Sequence, residues 1–191
     1  MYNVIMKLYT GKGDSGDTFD HSGKKSSKND NVIHFLGTLD ELNAHLGLVK
    51  AMLSNEDSWQ FAWKAACIHI EKIQRNLIKL MALVSSAPGE SIKYSLSDTD
   101  IQILEKEIDR LTTNVPKKNE LIIPGKNIIE AQIQIARTIA RRAERLFFAV
   151  KEKQLCPKTG VYLNRLSDYL FILSQQESLI NVNFINQITG F

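Results

Sequence analysis

Apolar residues recur every three or four positions along most of this chain, which is the spacing of one buried face of an α-helix. The clearest repeat comprises Phe35, Leu39, Leu42, Leu46, Val49 and Leu53. It predicts a first long helix that begins near Asp30. A second repeat predicts a helix from Ser58 to Ser85, ended by Pro88 and Gly89.

Three further helices follow from the same spacing. The run Ser97-Asp98-Thr99-Asp100 supplies N-cap candidates for a third helix, which should end before Pro116. A fourth is predicted from about Asn127 to Lys153, directly after a Pro-Gly turn, and a fifth follows a loop that runs through Gly160. We assign no strand. The sequence therefore predicts an all-α, five-helix bundle with short helices and an irregular N-terminal loop.

The length of the chain favours a single domain. With 191 residues and 43% apolar content it can fill one core, and it is short for two. We divide the domain into an N-terminal loop over 7–31, the bundle over 32–175 and a tail over 176–191. The tail is rich in Asn and Gln, and its pattern indicates no role.

Charge and cysteine usage narrow the functional class. The net charge is +3 and the pI is near 8.8, with the positive charge mostly scattered, so neither nucleic acid nor a membrane is expected as a partner. No apolar run reaches membrane-spanning length, and the N-terminus lacks the features of a secretory signal. Cys67 and Cys156 have no CxxC spacing and are expected to be free thiols. We expect a soluble, cytoplasmic protein.

The fourth predicted helix concentrates arginine. Residues four apart share one side of a helix, so Arg137, Arg141 and Arg145 form a row of guanidinium groups. An apolar seam on another face comprises Ile133, Ala136, Ala140, Ala143, Phe147 and Val150. Guanidinium groups stay charged and donate in pairs, which suits a polyphosphate. The alternative is a solvated basic face paired with Glu144 and nearby acids.

The segment from Lys7 to Phe19 is a candidate phosphate loop. It holds Gly11, Gly13 and Gly16 among hydroxyl and charged residues, and such backbone lets N–H groups approach an anion closely. It matches neither a Walker A motif nor a dinucleotide fingerprint. A flexible lead-in is the alternative, and residues 21–31 are expected to continue as a polar linker.

The first helix carries acidic residues and histidines without a metal pattern. Asp40 and Glu41 lie beside the apolar seam, and His45 follows Glu41 by four positions, whereas di-iron bundles use three. A di-iron centre is therefore not expected. His34 and His45 are expected to be surface or boundary residues.

Five motifs, taken together, resemble those of the PduO-type ATP:cob(I)alamin adenosyltransferases in order and spacing, over about residues 7–174. They are the glycine-rich segment, Gly-Thr-Leu-Asp-Glu-Leu-Asn at 37–43, Ile-Ile-Pro-Gly at 122–125, Arg-Thr-Ile-Ala-Arg-Arg-Ala-Glu-Arg at 137–145 and Tyr-Leu-Asn-Arg-Leu-Ser-Asp at 162–168. The last two are long and specific, whereas the glycine-rich segment alone is a weak signal.

The resemblance implies transfer of the 5′-deoxyadenosyl group of ATP to cob(I)alamin by a homotrimer with active sites between subunits. ATP and cobalamin are the implied substrates, and Mg²⁺ accompanies the ATP phosphates without an assigned side-chain ligand. The implied ATP-binding residues are Thr10, Gly11, Lys12, Gly13, Asp14, Gly16, Thr18, Lys28, Arg141, Arg142, Glu144, Arg145 and Asn164. Because Co(I) is itself the nucleophile, positioning and leaving-group electrostatics are expected to dominate catalysis.

The resemblance also implies the cobalamin side of the site, formed by Asp40, Leu121 and Arg137. Asp40 and Arg137 correspond to a salt-bridged pair across the subunit boundary. With Arg141, the first candidate to stabilise the leaving triphosphate, they form the implied catalytic set.

The chain departs from the family pattern at four places, one of which is the N-terminal loop, where it reads Gly-Lys-Gly at 11–13 and Lys/Arg-Thr/Asn-Gly is common. Leu121 stands where many members carry a phenylalanine thought to displace the lower axial ligand of cobalamin, Lys126 replaces a second glycine, and Ser174-Gln175 stands where an arginine is often found. The ATP side therefore matches better than the corrin side.

The second hypothesis is a carrier that binds ATP and adenosylcobalamin and delivers the cofactor to a client enzyme. A bundle with a degenerate site is disfavoured by the intact arginine motif, and the client and the reductase cannot be deduced from the sequence.

Overall fold

The protein is described from a computed structural model that covers residues 9, 11–19, 23, 25–55, 61–86, 95–115, 121–150 and 157–189, without the side chains of 55, 61, 62 and 177–189. Thr10, Ser58, Pro88, Gly89, Pro116 and Cys156, which enter the predictions above, lie outside the described residues. No helix in the described part of the chain combines the length and apolar content needed to cross a membrane.

The fold is the predicted all-α bundle of five helices. These are α1 (Asn31–Asn55), α2 (Phe61–Ser85), α3 (Asp98–Thr112), α4 (Ile128–Ala149) and α5 (Lys158–Thr189). Helix α4 packs against both α1 and α5, α2 packs on α1, and α3 packs on α5. All six positions of the first apolar repeat are fully buried, as the periodicity predicts.

Two helix starts follow the expected capping chemistry. Ser97 caps α3 in a capping box with Asp100, in which each side chain bonds the backbone N–H of the other. Asn127 caps α4, since its side-chain oxygen accepts from Glu130 N at 2.7 Å.

The ends of α4 and α5 differ from the prediction. Helix α4 ends at Ala149 rather than Lys153, because Val150 adopts an extended conformation. Helix α5 begins at Lys158, so Gly160 lies inside it, where an added Cβ would come within 3.0 Å of the Phe147 and Phe148 rings. The absence of a side chain there lets the two helices approach closely. The predicted tail over 176–191 continues α5 as a helix through Thr189.

The N-terminal region, predicted as an irregular loop over 7–31, contains a small hairpin. Strands β1 (Asp17–Phe19) and β2 (Lys25–Ser27) pair antiparallel, with Thr18 opposite Ser26. Lys28 N donates to Gly16 O at 2.9 Å and extends the pairing. Strands this short and polar carry no alternating apolar pattern, and the sequence therefore gave no strand signal.

Candidate active site

Helix α4 separates its apolar and basic faces as predicted. Ile133, Ala136, Ala140, Ala143 and Phe147 are buried in the core, whereas Val150 is only partly buried. On the other face Arg141, Arg142 and Arg145 are exposed, and Arg137 is half-buried. The buried small residues bring the helix axis close to its neighbours, and the guanidinium groups project from the outer side.

The arginines differ in their partners. Arg142 forms an ion pair and hydrogen bond with Glu41 of α1. Within the described ranges, Arg141 and Arg145 have neither a hydrogen bond nor an ion pair. Of the three exposed arginines, Arg142 alone is paired with an acid in the described part of the chain, so the alternative of a face paired with Glu144 and nearby acids holds for that residue only. The exposed guanidiniums of Arg141 and Arg145 are suited to an anionic ligand.

Two of the predicted ATP-binding residues meet between α4 and α5. Asn164 Nδ2 donates to Glu144 Oε1 at 3.1 Å, and Asn164 Oδ1 accepts from Arg165 Nη1 at 2.9 Å. Arg165 Nε in turn donates to Glu105 Oε1 at 3.0 Å. Both oxygen and nitrogen of the Asn164 amide are therefore engaged, which fixes the amide beside the Glu144 carboxylate, one turn from Arg141 on α4.

The glycine-rich segment has the irregular backbone that the sequence predicts over residues 11–16. Gly11 and Gly16 have φ values of 70° and 88°, which favour glycine. A Cβ on Gly13 would lie 3.1 Å from Lys28 Nζ and 3.4 Å from Lys28 Cε. Gly13 therefore makes room for the Lys28 amine, so the structure brings together two residues of the predicted ATP set. Thr18 lies on β1, next to this turn.

The predicted pair of Asp40 and Arg137 is not joined within the chain. Asp40 is exposed on α1, and in the described part of the protein it has no ion pair. Arg137 Nε donates to Gln134 Oε1 at 2.6 Å instead. The α1 carboxylate that reaches α4 is Glu41. A contact between Asp40 and Arg137 across a subunit boundary stays a prediction.

An exposed apolar patch flanks the Pro-Gly turn before α4. Leu121 is 98% exposed, Ile123 81% and Ile128 75%. Gly125 has a φ of 108°, which only glycine adopts readily. Side chains this apolar are rarely left in water as a group, so the patch indicates a binding surface.

The turn is held by Glu130, a residue that the sequence reasoning missed. The Glu130 side chain is fully buried, and its Oε2 accepts from Gly125 N at 2.7 Å and from Lys126 N at 3.3 Å. An acid three positions after the N-cap Asn127 was the available signal, since that spacing is typical of a capping box.

His34 and His45 are surface or boundary residues and Cys67 is a free thiol, as the sequence predicts. His34 is exposed and contacts Asn29 Oδ1 at 3.0 Å, and His45 is half-buried and contacts Gln132. Cys67 is a partly buried free thiol. Across the described ranges, no three His, Cys, Asp or Glu side chains are grouped so as to hold a metal ion.

Comparison with known proteins identifies the family. The cobalamin adenosyltransferase family model matches residues 8–177. The corrinoid adenosyltransferase of Citrobacter freundii is 34% identical over 176 residues, covering 91% of this chain and 96% of that protein. That of Bacillus subtilis is 35% identical over 170 residues, with 87% and 83% covered.

A solved structure agrees with the sequence relatives. It is a phenylalanine-to-alanine variant of the PduO-type ATP:corrinoid adenosyltransferase from Lactobacillus reuteri, complexed with cobalamin and ATP. Its TM-score is 0.80 at 30% identity, with 92% of this chain and 95% of that chain covered. The chain belongs to the cobalamin adenosyltransferase family. Its likeness to the PduO type, expected from the five motifs, is confirmed.

Proposed function

We propose that this protein is an enzyme that transfers the 5′-deoxyadenosyl group of ATP to cob(I)alamin, giving adenosylcobalamin and triphosphate. The observation that carries the proposal is the pair of exposed guanidiniums of Arg141 and Arg145, which have no partner among the described residues, beside the joined Glu144 and Asn164 on a bundle of this family. A row of bidentate donors suits the triphosphate, which is both the bound group and the leaving group.

The reaction needs little from the protein in covalent chemistry. Co(I) supplies both electrons of the new bond between cobalt and the 5′ carbon. The bond between that carbon and its oxygen breaks, and triphosphate leaves with the electron pair. No protein nucleophile or general base takes part. Rate enhancement comes from alignment of cobalt with the 5′ carbon and from stabilisation of charge on the departing oxygen.

Arg141 is the residue we assign to that charge, with Arg145 and Arg142 as further phosphate contacts. Arg142 differs from the other two because Glu41 already neutralises part of its charge. Its contact with phosphate requires the ion pair to be shared or exchanged. We therefore expect Arg142 to contribute less to binding than Arg141.

The Glu144 carboxylate fits Mg²⁺ held mainly by phosphate oxygens. Mg²⁺ in phosphate sites uses one or two carboxylates, with phosphate and water completing its shell. Glu144 offers one half-buried carboxylate, and Asn164 orients it through Oε1. When bound, Mg²⁺ would neutralise charge on the triphosphate.

We further propose that the active enzyme is a homotrimer with its sites between subunits. Two observations support this. Asp40 and the Nη atoms of Arg137 have no partner within the described part of the chain, as a pair between subunits requires. The apolar surface of Leu121, Ile123 and Ile128 is exposed to solvent in the single chain. A corrin ring or a neighbouring subunit that packs against it would bury this surface.

The glycine-rich loop, with Gly13 and Lys28, is the part of the ATP site that we assign to binding rather than to chemistry. Its turn has the irregular, glycine-rich backbone that suits an anion, and the Lys28 amine lies beside Gly13. Lys12, Asp14, Gly16 and Thr18 belong to the same loop and strand. The remaining member, Thr10, lies outside the described residues.

A carrier that binds ATP and adenosylcobalamin and serves a client enzyme is the second candidate. Leu121 favours it, because a leucine has neither the flat face nor the reach of a phenyl ring and should exclude an axial ligand from cobalt less completely. That a client enzyme and a reductase act with this protein, and that it is cytoplasmic, stay predictions.

A spectroscopic assay separates the two candidates. Chemically reduced cobalamin is mixed with the protein, with and without ATP, and the absorbance of adenosylcobalamin is followed over many turnovers. Multiple turnovers that depend on ATP support the enzyme. One equivalent of product per site, formed and then retained, supports the carrier, and binding of adenosylcobalamin without any synthesis would overturn the proposed transfer.

A further inference from the structure

Arg137 is anchored from the interior of the bundle. Its Nε donates to Oε1 of Gln134, one helical turn earlier on α4, at 2.6 Å. Gln134 is 4% exposed, while Arg137 is half-buried. A long polar side chain buried this deeply needs partners for both ends of its amide.

The other end of the Gln134 amide is held by α5. Gln134 Nε2 donates to Ser174 Oγ at 2.9 Å, and Gln175 Nε2 donates to the same oxygen at 3.0 Å. The Ser174 hydroxyl itself donates to the Phe171 carbonyl at 2.7 Å. Ser174 is fully buried and Gln175 is 9% exposed. The result is a continuous chain of hydrogen bonds from the interior of α5 to the Arg137 guanidinium.

The direction of each bond follows from the donors available. Ser174 Oγ donates to the Phe171 carbonyl and accepts from its two amide neighbours. The NH₂ group of Gln134 must therefore face Ser174, and the Gln134 oxygen must face Arg137. The opposite amide orientation would set NH₂ against the Arg137 Nε–H group, which is two donors in contact.

We propose that Gln134, oriented by Ser174 and Gln175, is a positioning residue for Arg137. It occupies Nε and thereby turns the two Nη groups outward, where they can form a bidentate pair with a carboxylate. A satisfied buried network also restricts the arginine to one rotamer before substrate binds. The inference rests on the role proposed for Arg137 on the cobalamin side of the site. It assigns a function to Ser174 and Gln175, the two residues at which the last motif departs from the family pattern.

The test compares three single variants in a single-turnover assay with pre-reduced cobalamin. Gln134→Met keeps the volume and removes both hydrogen bonds, Ser174→Ala removes only the acceptor that orients the amide, and Gln134→Glu keeps an acceptor for Arg137 Nε. We expect Gln134→Met to slow adenosyl transfer by about 10-fold to 100-fold, because a shift of about 1 Å in a positioning group can cost up to about 100-fold in rate. The KM for ATP should be unchanged. Ser174→Ala should show a smaller effect of the same kind, and Gln134→Glu should recover part of the rate.

The matched control is Asn76→Leu on α2. Asn76 is 2% exposed, and its amide donates to Tyr162 Oη at 3.3 Å and Asp100 Oδ1 at 3.2 Å. Asn76→Leu therefore removes a buried amide network of similar size in another part of the bundle. We expect it to lower the melting temperature about as much as Gln134→Met does while leaving the transfer rate unchanged.

A double-mutant cycle decides whether Gln134 acts through Arg137. In an Arg137→Ala background, Gln134→Met should have no further effect, whereas independent effects would multiply. Multiplying effects overturn the inference, and so does an unchanged transfer rate in Gln134→Met when Arg137→Ala is slow. If the unmodified protein makes no adenosylcobalamin at all, the proposed function fails. That result is distinguishable from the two outcomes that overturn the inference about Gln134, because both of those require an active unmodified protein.

Discussion

The carboxylate of Glu130 accepts a 2.7 Å hydrogen bond from the backbone N–H of Gly125 and so ties the first turn of α4 to the Pro-Gly turn that precedes it. The buried acid thereby holds the turn at Gly125 and Lys126. Leu121 and Ile123, just before this turn, are 98% and 81% exposed.

Replacing Glu130 by alanine should loosen this segment without unfolding the bundle. Two backbone donors would lose their acceptor, at a cost of about 1 to 3 kcal/mol. We expect faster amide exchange over 121–126 and a raised KM for cobalamin, with the KM for ATP unchanged. Glu130→Gln retains one acceptor oxygen and should restore most of the difference. Equal rises in both KM values would contradict a role specific to this segment.

Gly13 provides a test of the phosphate loop. A methyl group at Gly13 would meet the Lys28 amine at 3.1 Å, and the flexible lysine side chain would move away. Gly13→Ala should leave the melting temperature unchanged and raise the KM for ATP by roughly 3-fold to 10-fold, since about 1.4 kcal/mol of lost binding corresponds to a factor of ten. Gly47→Ala on α1, whose Cβ would meet only Gln74 Nε2 at 3.4 Å, is the control. An unchanged KM in Gly13→Ala would argue that Lys28 does not contact ATP.

The helical architecture could be read from the sequence because each helix buries a regular stripe. The Phe35 to Leu53 repeat and the Ser97 cap are local signals, and both predictions were correct. Motif positions assigned both Glu144 and Asn164 to the ATP site, and the structure joins the two although they lie on different helices.

Other features depend on contacts that no local pattern contains. The partner of Gln134 lies 40 residues away on α5, and a polar residue on a buried stripe does not reveal which atom satisfies it. The β1–β2 hairpin was missed because its strands have three residues each and no apolar alternation. Asp40 and Glu41 are neighbours in the sequence, and the rotation of α1 about its axis decides which of the two carboxylates reaches α4. It is Glu41, and the sequence alone does not show this rotation.

Glu107 should make the stability of the fold depend on pH. Burial alone would raise the pKa of Glu107, but the hydrogen bond from Arg110 and the charges of His69 and Arg110 outweigh burial and lower it. A pKa lowered by folding stabilises the protein above the unfolded value of about 4.3, and that stabilisation is lost as the pH falls through the folded value.

The measurement is urea unfolding of Glu107→Gln and the unmodified protein at pH 7 and below pH 4. The variant should be less stable at pH 7, and the difference should shrink in acid. Glu71→Gln serves as the control. The pKa of Glu71 is also lowered, by its partner Arg75, but Glu71 is exposed, so this substitution should change the free energy of unfolding only slightly. A difference for Glu107→Gln that is the same at both pH values would contradict the electrostatic explanation.

Leu121→Phe tests the corrin side. With a weak biological reductant, which must produce Co(I) on the protein, the unmodified protein should react slowly. With cobalamin already reduced chemically, it should react at a normal rate. The phenyl ring should narrow that gap by displacing the lower axial ligand more completely. If the spectrum of bound Co(II)cobalamin with ATP already indicates a fully four-coordinate metal in the unmodified protein, another residue displaces the ligand.

We expect the exposed guanidinium of Arg141 to stabilise the departing triphosphate. The most direct measurement is the rate of adenosylcobalamin formation from ATP and pre-reduced cobalamin in Arg141→Ala, in Arg141→Lys and in the control Arg75→Ala, an exposed arginine of α2 paired with Glu71. We expect Arg141→Ala to lose about two to three orders of magnitude in rate with an intact fold, Arg141→Lys to recover only part of it, and Arg75→Ala to match the unmodified protein. An Arg141→Ala protein that retains the full rate would contradict the claim.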